Sequence, residues 1–170
     1  KHYPDVPVVM SEWTHMKGGR DYSMDSALVT ATTMYEDFTL LNAVSWQHWI
    51  AVSEVDYCDG LIYINLENKS FEITKRYYVT GNFTKYIKPG AKRIEAKSDD
   101  KDVFVVAFKD SERMTVVLIN NSNAEKSVSL PFEKEILISV TDKDNNLTES
   151  SVKTDKLNIT PKSVTTMVII

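Results

Sequence analysis

Residues Val6–Asp25 read VPVVMSEWTHMKGGRDYSMD. A short apolar run leads into an acid, an indole and a polar loop holding Gly18 and Gly19. Flanked by Pro4 and Pro7, VPVVM has the composition of a buried parallel strand. A helix follows from about Met24 to Asn42, with Ala27, Leu28, Ala31, Met34, Tyr35, Phe38 and Leu41 on one face. Their alternating spacing of one and three marks a helix packed on one side. Asp25 or Ser26 is placed to cap its start. Strand, loop and helix make one β/α unit.

A second unit follows. AVSWQHW (Ala43–Trp49) reads as a strand and GLIYINL (Gly60–Leu66) as a further extended segment. Thr74 caps a helix expected over Lys75–Lys88, with Val79, Phe83, Tyr86 and Ile87 as its apolar stripe and Pro89-Gly90 as its stop. Two β/α units cannot close a barrel or cover both faces of a sheet, so their remaining partners come from elsewhere.

The pattern changes after Pro89-Gly90. RIEAK, VFVVAFK, MTVVLIN, KSVSL, ILISVT and SVTTMVII are short β-branched runs separated by the polar turns DSER, NNSNAE, DKDNN and TPK. Such spacing without a helical period predicts an antiparallel β-sandwich. The boundary falls near Gly90, giving an α/β portion over 1–89 and an all-β domain over 90–170. No Ser/Gly linker separates them, which predicts rigid packing of one on the other.

Bulk properties narrow the function classes. A length of 170 residues suits one domain, or a small domain with part of another. The net charge of −4 offers no basic surface for nucleic acid or an anionic membrane, and no run of ~18 apolar residues spans a bilayer. Cys58 is the only cysteine, so no internal disulfide forms. No histidine pair has metal-ligand spacing and no Gly-rich phosphate loop is present, so neither metal nor cofactor is expected. The chain lacks an initiator methionine and enters a strand almost at once, which reads as a cut chain. Asn68, Asn82, Asn120, Asn146 and Asn158 head Asn-x-Ser/Thr triplets that read as chance in so Asn- and Thr-rich a sequence. The basic residues of KPGAKR suit a helix end.

Chemistry concentrates at the strand exits. If VPVVM is a barrel strand, Glu12 sits at its C-terminal end, where barrel enzymes place catalytic groups. A carboxylate there attacks a sugar carbon or works as general acid/base; position alone favours an ordinary exposed or salt-bridged Glu. Trp13 follows the acid, and Trp46, Gln47, His48 and Trp49 sit at the matching end of the next strand. Indole faces stack on the apolar faces of sugar rings, while Gln and His bond hydroxyls; core packing is the competing role for any single Trp. His15, Arg20, Asp21 and Tyr22, and Asp56, Tyr57 and Asp59, lie on the two loops that follow and could line a cleft.

These residues resemble a known family. VVMSEW, SWQHWIAVSEVDYCDGLIYIN, KRYYVTGNFTKYIKPGAKRIEA and PKSVTTMVII are similar to the C-terminal part of glycoside hydrolase family 30, the block YYVTGNFTKYIKPGAKRI being the most specific. The resemblance implies the last two β/α units of a (β/α)8 barrel followed by its β-sandwich. It implies retaining hydrolysis of a β-linked glycan, with Glu12 as nucleophile at the end of the seventh strand and Trp49 near the sugar. Family members include xylanases, glucosylceramidases and β-1,6-galactanases or glucanases, and the likeness favours a secreted bacterial polysaccharide-degrading type. The family's acid/base is a Glu, usually after Asn, on the fourth strand; this chain has no Asn-Glu dipeptide. Strand material that the family's sandwich takes from the N-terminus is also absent. The expectation is therefore a C-terminal fragment, inactive alone, that self-associates or stays with its missing N-terminal barrel portion. In particular, Leu28, Met34 and Phe38 are expected to have lost their partners and to form an apolar patch. The alternative is a non-catalytic carbohydrate-binding or structural β-sandwich module.

Overall fold

The computed structural model describes residues 6–170, so the reading of Pro4 as a strand flank lies outside it. Strand β1 (Val9–Trp13) pairs in parallel with β2 (Ser45–His48), and α1 (Met24–Glu36) connects them. The cap of α1 is Ser23, whose hydroxyl accepts the Ser26 N–H at 3.3 Å, rather than Asp25 or Ser26. Asp25 lies in the first turn, where the dipole favours an acid, and pairs with Lys162 at 3.4 Å. The helix then widens into a π turn over Asp37–Leu41 and ends at Asn42 in the left-handed region (φ 56°). Helix α2 (Lys75–Thr84) starts at the Thr74 cap as expected and stops four residues before Lys88.

Between β2 and α2 the chain builds a small sheet of its own from β3 (Val52–Ser53), β4 (Ile62–Asn65) and β5 (Ser70–Ile73). The extended segment GLIYINL thus belongs mainly to this sheet, with β4 parallel to β3 and antiparallel to β5.

The second half forms one antiparallel six-stranded sheet: β6 (Lys92–Ile94), β7 (Val103–Lys109), β8 (Met114–Asn120), β9 (Lys126–Thr141), β10 (Thr148–Ile159) and β11 (Ser163–Ile169). Their order is β10-β9-β11-β8-β7-β6. KSVSL and ILISVT, read as two strands in sequence, are the two ends of the long β9. Only residues 137–141 of β9 pair with β11, while its first half pairs with β10 alone, across a register shift between Thr154 and Lys156. The hairpin doubles back there, bringing Val128, Leu130, Leu157 and Ile159 onto Val103, Val116, Leu118 and Met167 as the second layer of the sandwich. Strand β10 gave no signal in the sequence because it is an edge strand, largely exposed, and its composition is polar.

The other face of the sheet binds the helices. Val106, Phe108, Val117, Ile119 and Val164 share one apolar cluster with Met24, Ala27, Leu28, Ala31 and Met34 of α1 and Val79 and Phe83 of α2. Each Val, Leu, Ile, Phe or Met among them, fully buried, contributes on the order of 1.5–3 kcal/mol. This corrects the expected patch: Leu28 and Met34 are each 2% exposed, and Phe38 lies edge-on against Phe108 at 5.6 Å. The sheet supplies the partners that these helix faces need. Exposed apolar side chains lie instead around β1 and β2, among them Val9 (52%), Leu40 in the π turn (75%) and Val44 just before β2 (64%). Leu41, assigned to the helix stripe in sequence, is also exposed because the π turn rotates it out of line. Asn82 and Asn120 are buried and hydrogen-bonded to the sheet, which fits neither as a glycan acceptor.

Candidate active site

Because β1 and β2 are parallel, their C-terminal ends lie side by side. Met10 stands opposite Trp46 and Trp13 opposite His48, so β1 uses one more residue than β2 over this span. Ser11 and Glu12 together face Gln47 in a bulge, a device that re-aims a side chain. Paired residues share a face of a sheet, so Met10, Trp13, Trp46 and His48 point one way and Glu12 and Gln47 the other. Burial agrees: the first four are half-buried, while Ser11, Glu12 and Gln47 are exposed.

The first group turns toward the helices. Trp46 packs against the core cluster and donates its indole N–H to Asp37 Oδ2 at 2.8 Å. The Trp13 ring lies 5.7 Å from Trp46 and 6.0 Å from His48. His48 Nε2 is 2.8 Å from the Asp59 carbonyl, which can only accept, so Nε2 carries the proton and Nδ1 is a buried acceptor with no partner among the described residues. Burial pulls the His48 pKa below its usual value and so favours a neutral ring, against the bond to the Asp59 carbonyl, which favours the charged one.

The second group stays open. Trp49 continues the Gln47 side, is 53% exposed, and donates its backbone N–H to the Trp13 carbonyl at 2.8 Å. Of the residues singled out in sequence, Glu12, Gln47 and Trp49 therefore share the open face, while Trp13 and Trp46 lie behind it. An exposed carboxylate flanked by an amide and a flat indole can attack or bond a sugar that stacks on the indole.

Two loops frame this face and are sewn together. Cys58 N–H donates to the Lys17 carbonyl at 2.9 Å, and Arg20 N–H to Asp56 Oδ1 at 3.1 Å. The Arg20 guanidinium also lies 4.7 Å over the Tyr63 ring. Burial opposes ionisation of Asp21, but hydrogen bonds from Ser23 and Lys17 outweigh it and hold the pKa at about 2. An acid that strong is unsuited to donate a proton near neutral pH. His15 Nδ1 is 3.6 Å from the buried Cys58 thiol, and the Tyr57 hydroxyl is 3.8 Å from Met16 Sδ. Tyr22 donates to Glu72 at 2.9 Å. Among the described residues no three His, Cys, Asp or Glu side chains converge as a metal site.

Arg76 was not among the residues read from the sequence. It is fully buried and donates to the Asp21 carbonyl, Ser26 Oγ and the Gly60 carbonyl, each at 2.7 Å, and to Tyr63 OH at 2.9 Å. One signal was available: a cation in the first turn of a helix opposes the dipole and asks for another reason to be there.

Comparison with known proteins places these features. Residues 9–63 match the model of O-glycosyl hydrolase family 30, and residues 90–167 match the glycosyl hydrolase family 30 beta sandwich domain. Glucuronoxylanase XynC of Bacillus subtilis (strain 168) is 40% identical over 52 residues, which is 30% of this chain and 12% of that protein. The catalytic domain of GH30 xylanase C from Talaromyces cellulolyticus superposes with a TM-score of 0.85 at 18% identity, over 98% of this chain and 41% of that one. A conserved exported protein from Bacteroides fragilis superposes with a TM-score of 0.84 at 24% identity, over 97% of this chain and 39% of that one. The chain thus spans about two fifths of the solved structures it matches. No helix among the described residues is long and apolar enough to cross a membrane.

Proposed function

This chain belongs to glycoside hydrolase family 30, matching the C-terminal part of its enzymes, and we propose that it carries the nucleophile of a retaining β-glycosidase, Glu12. The observation that carries this reading is the bulge that turns Glu12 onto the open face with Gln47, at the C-terminal end of a parallel strand. Glu12 attacks the anomeric carbon and forms a glycosyl-enzyme ester as the leaving oxygen takes a proton from a general acid. Water, activated by that same group as its conjugate base, then releases the sugar with retained configuration. Trp49 stacks on the sugar and Gln47 bonds a hydroxyl.

Retention needs a second carboxyl group about 5–5.5 Å from the first. Three acids on the two flanking loops are poorly suited: Asp21 is held ionised, Asp56 accepts the Arg20 N–H, and Asp59 is buried. In line with the family resemblance, the acid/base comes from barrel strands outside these 170 residues, and the isolated chain is inactive. The substrate is a β-linked poly- or oligosaccharide. Xylan is the first to test because the curated relative is named a glucuronoxylanase and a matched structure a xylanase. Such a substrate lies outside the cell, which agrees with an exported enzyme.

A non-catalytic sugar-binding sandwich is the competing reading. Among the described residues, the groove of about 750 Å³ between the sandwich layers is lined by aliphatic and polar side chains, Ile94, Val105, Met114 and Leu130 among them, with no aromatic platform for sugar. The two readings separate on one experiment. The chain is assembled with the upstream barrel portion of a family member and treated with an activated 2-deoxy-2-fluoro-β-xylobioside. Label on Glu12, lost in Glu12→Gln together with xylan turnover, is expected. Label on another carboxylate, or turnover of xylan by the isolated 170 residues, overturns the proposal.

A further inference from the structure

Asp37 is 6% exposed at the C-terminal end of α1, where the helix dipole is unfavourable to negative charge. It enters none of the ion pairs formed among the described residues. The side chain has one hydrogen-bond partner there, the Trp46 indole N–H at 2.8 Å. For stability alone this is a poor use of a buried position, since an apolar residue fills it without desolvating an acid.

What the contact does is fix a ring. The second side-chain torsion of a half-buried indole is broad, and tying its N–H narrows it. The π turn makes the tie possible: the Asp37 carbonyl accepts the Ala43 N–H at 3.0 Å, so the chain turns directly from α1 into β2 and brings residue 37 to residue 46. The fixed Trp46 ring lies 5.7 Å from Trp13, the residue immediately after Glu12 and the pairing position that closes the bulge. Trp13 in turn holds Trp49 through its carbonyl.

We propose that Asp37 is a positioning residue for Glu12: through Trp46 and Trp13 it holds the bulged end of β1, so that the Glu12 side chain keeps its aim across the open face. This rests on the reading of Glu12 as the nucleophile.

The test follows the rate of Glu12 labelling by the fluoroxylobioside in the chain assembled with the upstream barrel portion, separating the limiting rate from the inhibitor's affinity. Asp37→Leu and Trp46→Phe each remove the bond and are expected to slow the limiting rate about tenfold with affinity changed less than about twofold, the signature of misplacement. Asp37→Asn keeps an acceptor oxygen and is expected to stay within about twofold of the parent. The double variant Asp37→Leu/Trp46→Phe is expected to be no slower than either single, since both break one contact. Unchanged rates in Trp46→Phe, an Asp37→Asn as slow as Asp37→Leu, or losses that multiply in the double overturn the proposal. Should Asp37→Leu fail to fold, Trp46→Phe against Asp37→Asn decides it. Label persisting in Glu12→Gln refutes the nucleophile reading itself, a result separate from all of these.

Discussion

The Arg76 guanidinium and the Tyr63 hydroxyl meet at 2.9 Å with both side chains shut off from solvent. The same guanidinium reaches the Asp21 and Gly60 carbonyls, and so joins the loop that follows Glu12 to the loop that follows His48. Removing it leaves several buried acceptors unpaired at once. Arg76→Met is expected to lose about 3–5 kcal/mol, the range for breaking a buried charged network. Arg76→Lys recovers only part, because an ammonium cannot span the contacts that a planar fork does. Urea unfolding of the three proteins measures this; a Met variant within about 0.5 kcal/mol of the parent contradicts it.

How far these features were legible in the sequence depends on the range of the interactions that made them. Thr74 as a cap and the runs Val103–Lys109, Met114–Asn120 and Ser163–Ile169 were readable because local chemistry and alternation decide them. Strand β10 was not, since a solvated edge strand carries no apolar run. The partners of Leu28 and Met34 were misassigned because a helix stripe tells that a face is buried and not against what. At the site, position alone put Glu12, Trp13, Trp46, Gln47 and Trp49 together. Their division onto two faces follows from a bulge, and a bulge is set by register between strands 30 or more residues apart in sequence.

His48 gives stability a pH dependence whose sign is fixed. Its folded-state pKa is depressed, chiefly by burial, below the ordinary value of 6.5. Below that value the unfolded chain binds a proton that the folded chain resists, so stability is full above pH 6.5 and declines as pH falls toward the folded pKa. His48→Gln keeps a donor for the Asp59 carbonyl and removes the titration. Melting curves at several pH values between about 7.5 and 5 are expected to show a decline in the parent that is shallower in the variant. Parallel declines in the two proteins count against the assignment.

The exposed apolar side chains Val9, Val44 and Leu40 lie on β1, just before β2 and in the π turn rather than on the helix faces. Among the described residues strand β1 pairs only with β2 and leaves its outer edge free. A free parallel edge beside such side chains recruits another chain. Sedimentation of the isolated chain is expected to show dimers or larger species, shifted toward monomer by Val44→Asp and by the upstream barrel portion. A clean monomer for the parent chain removes this expectation.

Trp46 and Trp49 are three residues apart and are expected to fail in opposite ways. Trp46 is bonded to Asp37 and packed on the core, so Trp46→Ala opens a cavity and strands a buried acid, costing about 3–5 kcal/mol. Trp49 is 53% exposed, and its resolved bond to Trp13 uses the backbone N–H, which alanine retains. Trp49→Ala is therefore expected to change stability by less than about 0.5 kcal/mol. If it stacks on the sugar, its loss weakens xylo-oligosaccharide binding in the assembled enzyme by about 1 kcal/mol or more, the loss on truncating an aromatic contact residue. Urea unfolding read beside calorimetric titration separates the two effects. A destabilised Trp49→Ala with unchanged sugar affinity makes Trp49 a packing residue and leaves Glu12 and Gln47 as the sugar-facing pair.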